Sequence, residues 1–397
     1  MKIAFLTAGG IAPCLSASIG GLIESYNSVI PDAEFLGYLN GYKGLLTNQK
    51  ISFPGSVKKK TGIFNDYGGS PIGNSRVKLT NVENCVQKGY VKEDQNPLKV
   101  AAEQLIKDGI DILHTIGGDD TNTMAAELSF YLKENDYKLT VVGLPKTVDN
   151  DVFPISQTLG AYTAAEQGAI FFENLSNENT TSSRQLIIHE VMGRNCGWLT
   201  AQTAREYRKR LDGKEFLPEV LIDRARWDID AVYIPEIPID FDSECERLID
   251  IMNKKDCVNI FLSEGAGTET IVRELESTGQ KIERDAFGHV ALDALNPGKW
   301  FAKHFTKNLL AEKTLVQKSG YFARSASPNK KDLDLIKLSC ELAAISAKNG
   351  MSGVVGLDDN NNDEMGLIDF KRIKGGKPFD INQKWFTSLL TEIGQKN

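Results

Sequence analysis

Residues 110–122 read IDILHTIGGDDTN, an apolar run that ends in two glycines and two aspartates. A continuous apolar run is typical of a strand that is buried on both faces, and the glycine pair predicts a turn after it. The residues that follow, to about 134, have the pattern of a helix. A strand, a turn and a helix in this order predict one unit of a parallel sheet covered by helices.

The same order recurs on both sides of this stretch. Apolar runs at 2–8, 139–144, 185–191 and 257–263 each end in a glycine or a charged cluster. Ligands of parallel sheets bind beyond the carboxyl ends of the strands, which is where these clusters are expected. We therefore predict an α/β fold with mainly parallel sheets, and we look for the function in the clusters.

The length and charge of the chain exclude several classes of function. A chain of 397 residues is long enough for two domains. Its 46 Lys and Arg against 53 Asp and Glu give a net charge of −7. The chain therefore lacks the excess of basic residues that is typical of a nucleic-acid binder. No apolar run approaches the roughly 20 residues of a membrane span, so we expect no membrane partner.

Cysteines and histidines contribute little to the predicted chemistry. The six cysteines form no C-x-x-C pair, and reduced thiols in a cytoplasmic protein are the simplest interpretation. His114 and His189 lie inside apolar runs and are expected to be core residues. Any catalysis is therefore expected to depend on carboxylates, lysines and arginines.

Two adjacent aspartates, Asp119 and Asp120, follow the strand quoted above. Like charges at a strand end repel each other, and a hard cation such as magnesium, which prefers carboxylate oxygens, would offset that repulsion. The alternative is that Asp120 or Thr121 is only the N-cap of the next helix, which accounts for one residue of the cluster.

A second cluster, PKTVDND at 145–151, places a lysine and three acidic or amide side chains after the run at 139–144. A carboxylate here could accept a proton from a substrate hydroxyl, and Lys146 could hold an anion. The alternative is an ordinary polar loop with Asx turns. Gly9-Gly10, after the first run, is either a tight turn or a place where backbone N–H groups meet a phosphate.

Three further clusters follow the later strands. Met192-Gly193-Arg194 combines a close backbone approach with an arginine suited to phosphate, and Glu264-Gly265 and the stretch 320–325 add an acid and a cation. The sequence contains no P-loop and no dinucleotide-binding glycine turn. Acids for a metal and a base, with cations for phosphates, are the groups that phosphoryl transfer requires.

Taken together, these motifs resemble those of the phosphofructokinase family. TAGGIAP, GGSPIGNSR, GGDDTN, PKTVDND, MGRNCGW, SEGA and GYFARS occur in the family's order and spacing, from residue 3 to about 330. The chain resembles the pyrophosphate-dependent branch more narrowly. ATP-dependent members typically carry glycine at the positions of Asp120 and Lys146, histidine at Tyr321, and an aspartate at Ile11.

The resemblance implies a magnesium-dependent, reversible transfer of a phosphoryl group from pyrophosphate to the 1-hydroxyl of fructose 6-phosphate. It also implies two Rossmann-like domains with mainly parallel sheets and an active site in the cleft between them. Residues 1–155 and about 325–397 would form the domain that binds pyrophosphate and magnesium, and about 156–324 would form the sugar-phosphate domain.

Roles on the donor side follow from the same resemblance. Asp149 would be the base that takes the proton from the sugar hydroxyl, Asp119 would act through magnesium, and Asp151 would support the transition state. The residues that would bind pyrophosphate are Gly10, Arg76 and Lys78. Those that would set donor specificity and stabilise the transition state are Asp120 and Lys146.

The acceptor would be held by residues of several motifs. They are Thr147, Val148, Asp149, Met192, Gly193, Arg194, Glu264, Tyr321 and Arg324. In this family one arginine and a further cation of the sugar-phosphate pocket come from the neighbouring subunit, which implies a homodimer or homotetramer. The candidates for these cations are Arg184 and either Lys313 or Lys318.

The resemblance also implies a preference for pyrophosphate over ATP, and charge repulsion at Asp120 would explain it. Asp120 would lie where the α-phosphate of ATP binds, and two unit charges about 4 Å apart repel by roughly 4 kcal/mol at an effective dielectric near 20. Three alternatives stay open: an ATP-dependent phosphofructokinase, a kinase of the GGDGT group, and a non-catalytic regulatory subunit of the same fold. The presence of Asp119, Asp149 and Arg194 favours an enzyme.

Overall fold

The computed structural model describes residues 1–277, 279 and 295–396. Within these ranges, eleven strands form two sheets. The strands are β1 Lys2–Thr7, β2 Glu34–Tyr38, β3 Lys50–Ser52, β4 Ile112–Gly117, β5 Thr140–Pro145, β6 Gln185–Val191, β7 Ala231–Tyr233, β8 Cys257–Ser263, β9 Lys313–Lys318, β10 Gly353–Asp358 and β11 Glu364–Ile368.

Two compact units divide the chain, and each contains one sheet. The first sheet has the order β11-β10-β5-β4-β1-β2-β3, in which only the edge strands β11 and β3 are antiparallel to their neighbours. The second has the order β7-β8-β6-β9 and is wholly parallel. The first unit is Met1–Thr163 with Arg324–Lys377, and the second is Ala164–Ala323 with Pro378–Asn397.

Helices connect most of the strands, as expected for parallel pairing. Their bounds are Leu15–Val29, Tyr42–Leu46, Val82–Gln87, Pro97–Asp108, Asp119–Glu134, Ala161–Leu175, Trp198–Asp212, Arg224–Trp227, Phe241–Lys255, Thr268–Ser277, Pro297–Asn308, Gly320–Ser325, Lys330–Lys348 and Lys384–Glu392. No helix of the described residues is both long and apolar enough to cross a bilayer.

The predicted α/β fold with mainly parallel sheets is confirmed. Strands β6 and β8 have the bounds predicted for them, and the run at 110–116 forms β4, which begins two residues later and extends to Gly117. The helix after β4 has Gly118 as its N-cap, with Asp119 and Asp120 in its first turn. The interpretation of Asp120 or Thr121 as an N-cap is therefore wrong.

Buried apolar side chains pack against both sheets, and His114 and His189 belong to this core. Every residue of β4 and of β6 is buried. His114 pairs through Nε2 with the hydroxyl of Tyr26 at 2.7 Å, and His189 pairs with the hydroxyl of Ser319 at 2.7 Å. Burial lowers the pKa of each imidazole to about 3, so both rings are neutral at pH 7. The prediction of core histidines is confirmed.

The expected domain division differs from the structure in its last segment. Residues 325–397 were all expected in the first domain, whereas Pro378–Asn397 belongs to the second unit. The side chain of Gln395 exchanges two hydrogen bonds with the backbone of Val232, at 2.8 and 3.0 Å. These buried bonds attach the end of the described chain to β7.

Candidate active site

Three strand ends of the first sheet are joined to one another at its carboxyl edge. The backbone N–H of Lys146, just after β5, donates to the carbonyl of Gly117 at the end of β4, at 2.8 Å. The ammonium group of Lys146 donates to the carbonyl of Gly10, after β1, at 2.8 Å. The predicted clusters at Gly10, Asp119 and Lys146 therefore meet at one edge.

Three cations surround Gly10, and we call Arg76, Lys146 and Arg324 the cation cluster. A Cβ added to Gly10 would lie 3.6 Å from Nη1 of Arg324 and 3.8 Å from Nη2 of Arg76. Lys146 is 4% exposed, and burial lowers its pKa to about 8, with the charges of Arg76 and Arg324 acting in the same direction and that of Asp149 opposing them. A bound anion would relieve this repulsion.

The loop after Lys146 is fixed by its own side chains. The carboxamide of Asn150, a residue in the left-handed region at φ 56°, accepts from the backbone N–H of Thr158 at 2.8 Å and donates to the carbonyl of Ser156 at 2.9 Å. The hydroxyl of Thr147 accepts from the N–H of Asp149 at 3.1 Å. Asp149 is thus held in a rigid loop at the end of β5, a geometry suited to a positioned base.

Two carboxylates near this loop could serve a divalent cation. Asp119 is half-buried in the first turn of its helix, and Asp151 accepts from the hydroxyl of Thr147 at 3.1 Å. Burial raises the pKa of Asp151, and the nearby charge of Asp119 raises it further. No group of three or more His, Cys, Asp or Glu suited to a metal occurs among the described residues. Magnesium, which uses one or two carboxylates with waters and substrate phosphates, fits this pair.

Asp120 and Lys78, expected on the donor side, form an ion pair with each other. Their charged atoms lie 2.8 Å apart, and the side chains are 62% and 38% exposed, respectively. An exposed pair of this kind contributes about 0–1 kcal/mol to stability. Because Lys78 offsets part of the charge of Asp120, the pair would repel an anion more weakly than an isolated aspartate would.

In the second unit, the loop after β6 has a backbone conformation that requires glycine. Gly193 has a φ of 127°, its carbonyl accepts from the hydroxyl of Ser263 at 2.5 Å, and its N–H points to Oε1 of Glu264 at 3.4 Å. The residue that follows, Arg194, is exposed. The geometry presents a guanidinium next to a carboxylate at the carboxyl edge of the second sheet.

The neighbouring strand ends complete this edge. Burial raises the pKa of Glu264, and the charge of Glu190 raises it further. Met192 packs against Gly320 after β9, since a Cβ at Gly320 would lie 3.2 Å from Cγ of Met192. Tyr321 is 82% exposed. Residues predicted to hold the sugar phosphate thus follow three adjacent strands, β8, β6 and β9.

The remaining predicted residues have more local roles in this structure. Val148 is buried, so its side chain belongs to the core of the first unit. Arg184 lies at the amino end of β6 and donates to the carbonyls of Leu309 and Leu310 at 2.7 and 2.8 Å. Lys313 donates to Glu178 at 3.1 Å at the amino end of β9. Both side chains stabilise their own unit at the edge opposite the candidate site.

Lys318, the third cation considered for the sugar-phosphate pocket, lies at the carboxyl end of β9. Its amine is 2.7 Å from Oε1 of Glu190, which is 4% exposed. The other oxygen of Glu190 accepts from the N–H of Gly298 at 3.1 Å. This buried carboxylate was not singled out from the sequence, because an acid inside an apolar strand gives no pattern that identifies its partner.

Sequence reasoning also missed a contact of Asp119 with the region after residue 338. A Cβ added to Gly375 would lie 2.6 Å from Cγ of Asp119. The stretch KGGK at 374–377 was a signal that the sequence offered, because a glycine pair indicates a turn and the flanking lysines could attract an anion. Arg324 was expected with the sugar phosphate, and the structure places it beside Gly10 in the first unit.

Comparisons with known proteins identify the family of the chain. The phosphofructokinase family model matches residues 2–338. Two proteins named pyrophosphate–fructose 6-phosphate 1-phosphotransferase are similar to the chain over nearly its full length. That of Methylomonas methanica is 58% identical over 99% of this chain and 96% of its own, and that of Propionibacterium freudenreichii is 55% identical over 99% and 98%.

A solved structure supports the same fold. The crystal structure of the pyrophosphate-dependent phosphofructokinase of Marinobacter aquaeolei matches all of this chain and 92% of its own, with a TM-score of 0.70 at 18% identity. At this identity the likeness concerns the fold alone. With the family model matching most of its length and relatives above half identity, the chain belongs to the phosphofructokinase family.

Proposed function

We propose that the chain transfers a phosphoryl group from pyrophosphate to the 1-hydroxyl of fructose 6-phosphate, giving fructose 1,6-bisphosphate and phosphate. The names of relatives that are 55 and 58% identical support this reaction. The cation cluster is the observation that carries the proposal, because Arg76, Lys146 and Arg324 meet at Gly10 and together suit a small, highly charged phosphate donor.

Pyrophosphate is assigned to the first unit. The buried Lys146 ammonium and the two guanidinium groups beside Gly10 face the charge that develops on the transferred and leaving phosphates. Fixed cations of this kind need no rearrangement during the reaction, and their effect is larger in a buried site than in water. Asp119, with Asp151 nearby, would hold magnesium, which would supply further neutralisation of the phosphate oxygens.

Asp149 is assigned the role of general base. It takes the proton from the 1-hydroxyl as that oxygen attacks the terminal phosphorus, the bond to the bridging oxygen breaks, and phosphate leaves. The bond from its backbone N–H to Thr147 and the fixed Asn150 hold the backbone that carries this carboxylate. Since pyrophosphate releases less free energy on transfer than ATP does, the reaction is expected to run in both directions.

Fructose 6-phosphate is assigned to Arg194, Glu264 and Tyr321, which lie at the carboxyl edge of the second sheet. Arg194 suits the 6-phosphate because a guanidinium binds phosphate through two parallel hydrogen bonds. Glu264 and Tyr321 offer an acceptor and a phenol to the sugar hydroxyls. Bringing two anionic substrates together in the right orientation costs free energy, and side chains that bind and orient the sugar phosphate reduce this cost.

Two rival functions are separated by specific residues. An ATP-dependent enzyme would have to accommodate the Lys78–Asp120 pair beside the donor phosphates. A non-catalytic subunit would have no need for Asp149, Asp119 and Lys146 in this arrangement.

We also propose a cytoplasmic homodimer or homotetramer. All six cysteines lie in the described part of the chain and none forms a disulfide, which agrees with a reducing compartment.

The test is the initial rate with fructose 6-phosphate and magnesium, with pyrophosphate or ATP as the donor. Turnover with pyrophosphate and none with ATP is expected. Turnover with ATP would contradict the role given to Asp120. No turnover with either donor, in a folded preparation, would favour the regulatory subunit.

A further inference from the structure

A short segment beyond the family match lies against the catalytic carboxylates. Residues 374–377, KGGK, run alongside residues 151–153 in the first unit, and we call them the KGGK segment. Phe153 and Lys374 exchange backbone hydrogen bonds of 2.7 and 2.9 Å, and the N–H of Lys377 donates to the carbonyl of Asp151 at 3.0 Å. The segment is thereby fixed to the loop that carries Asp149 and Asp151.

Both flanks of the KGGK segment are also anchored. The ammonium group of Lys377 donates to the carbonyl of Ile155 at 2.8 Å and to Asp359 at 2.6 Å. On the other side, Ile373 packs in an apolar cluster with Val152 and Ile368. With a side-chain anchor at one end and an apolar anchor at the other, the backbone of residues 374–377 has little freedom to move.

Gly375 brings this rigid backbone directly against Asp119. A Cβ at position 375 would lie 2.6 Å from Cγ and 2.9 Å from Cβ of Asp119, closer than non-bonded carbons approach in proteins. The clash involves the base of the Asp119 side chain as well as its tip, so a change of rotamer would not remove it. Any residue other than glycine would have to displace the carboxylate or the segment.

We propose that Gly375 is a positioning residue for the metal-binding carboxylate, and that the KGGK segment is the wall against which Asp119 is held. The inference rests on the proposed function, since it assigns the segment to the magnesium end of the donor site. The same segment supports Asp151 through its carbonyl. One rigid strip therefore fixes the separation of the two carboxylates available to the cation.

The main test compares Gly375→Ala with Gly366→Ala, a matched control at which an added Cβ meets nothing within 4 Å. In Gly375→Ala, the magnesium concentration for half-maximal rate is expected to rise about tenfold or more, as for other residues that orient metal ligands. The KM for fructose 6-phosphate should change by less than about twofold, because acceptor groups are untouched. Gly366→Ala should match the wild type in both.

Binding is measured separately from turnover, with Mn²⁺ as a spectroscopic probe in the presence of pyrophosphate. The Kd for Mn²⁺ should weaken about tenfold in Gly375→Ala. The contact itself is tested by melting temperature. Gly375→Ala should lower Tm in the wild-type chain and lower it less in an Asp119→Gly background, where the clashing atoms are gone. Unchanged magnesium and manganese dependence in a folded Gly375→Ala would overturn the proposal.

If Gly375→Ala does not fold, Lys377→Met provides the decisive measurement, because it releases one anchor of the segment without adding bulk. A weakened Mn²⁺ affinity supports the proposal, and an unchanged affinity overturns it. A wild-type chain with no pyrophosphate turnover would remove the proposed function. Mn²⁺ binding and the Tm comparison would still decide whether Gly375 positions Asp119.

Discussion

Replacing Lys146 with methionine is expected to weaken catalysis and to stabilise the protein at the same time. Lys146 is 4% exposed, and its ammonium group donates to the carbonyl of Gly10. Burial is the largest cause that lowers its pKa from 10.5 to about 8. Folding at pH 7 therefore brings a charged group into surroundings that disfavour the charge, which lowers the free energy of unfolding.

The size of the stability effect follows from that shift. A difference of about 2.5 pKa units corresponds to about 3 kcal/mol. Loss of the hydrogen bond to Gly10 offsets about 1 kcal/mol, which leaves a gain of about 2 kcal/mol and a rise in Tm of roughly 2 °C at pH 7. The pKa of Lys146 is lower in the folded protein than in the unfolded chain, so between pH 8 and 10.5 the unfolded chain binds more protons. The stability of the folded wild-type protein therefore rises with pH over this range. The gain in Lys146→Met should shrink over the same range.

The activity should move in the opposite direction. With a pKa of about 8, Lys146 is charged in about 90% of molecules at pH 7 and about 10% at pH 9. The wild-type kcat/KM for pyrophosphate should therefore fall about ninefold between these pH values. In Lys146→Met it should be low and should lack this decline.

Calorimetric or fluorescence melting curves and initial rates, each across pH 7–10, make the comparison. The exposed Lys88 offers a control, since Lys88→Met should alter neither quantity. A Lys146→Met variant that melts below the wild type at pH 7 would refute the burial argument. A wild-type rate that is flat from pH 7 to 9 would refute the role of the Lys146 charge.

Three further substitutions test other parts of the site. Asp149→Ser should lower kcat by several orders of magnitude with little change in KM, and a loss below about tenfold would remove Asp149 as the base. Asp120→Gly combined with Lys146→Gly should permit turnover with ATP; a folded double variant without ATP turnover would contradict exclusion by the side chain at 120. Lys318→Met should lower the free energy of unfolding by about 1–3 kcal/mol, because it leaves Glu190 buried without its cation; an unchanged Tm would show that Glu190 does not depend on this pair.

The residues that sequence reasoning located best are those at strand ends. Buried parallel strands give continuous apolar runs, and their carboxyl ends lie at the same edge of the sheet. Gly10, Asp119 and Lys146 could therefore be placed together from the sequence alone. The family resemblance then supplied roles that spacing alone does not. Those roles stay predictions until the substitutions above are made.

Contacts between distant parts of the chain could not be predicted in this way. Gly375 meets Asp119 across more than 250 residues of sequence, and neither position shows a pattern that refers to the other. The same holds for Arg324 beside Gly10 and for Gln395 bonded to β7. Periodicity and turn signals report on local structure, whereas these contacts depend on the complete packing of each unit.

The two strands beyond the family match have a consequence for self-association. β10 pairs with β5, and β11 covers the outer side of β10, so a chain ending at residue 338 would keep every motif residue and expose β5 as an apolar sheet edge. Such an edge is a template for intermolecular strand pairing. In the full chain the outermost strand is β11, and the acidic stretch DDNNNDE at 358–364 leads into it. Asp358 and Asp359 of this stretch form ion pairs with Arg372 and Lys377, whereas Asp363 and Glu364 are exposed. Charges at an edge strand disfavour its pairing with another chain, so we expect these two exposed carboxylates to oppose pairing of two copies along β11.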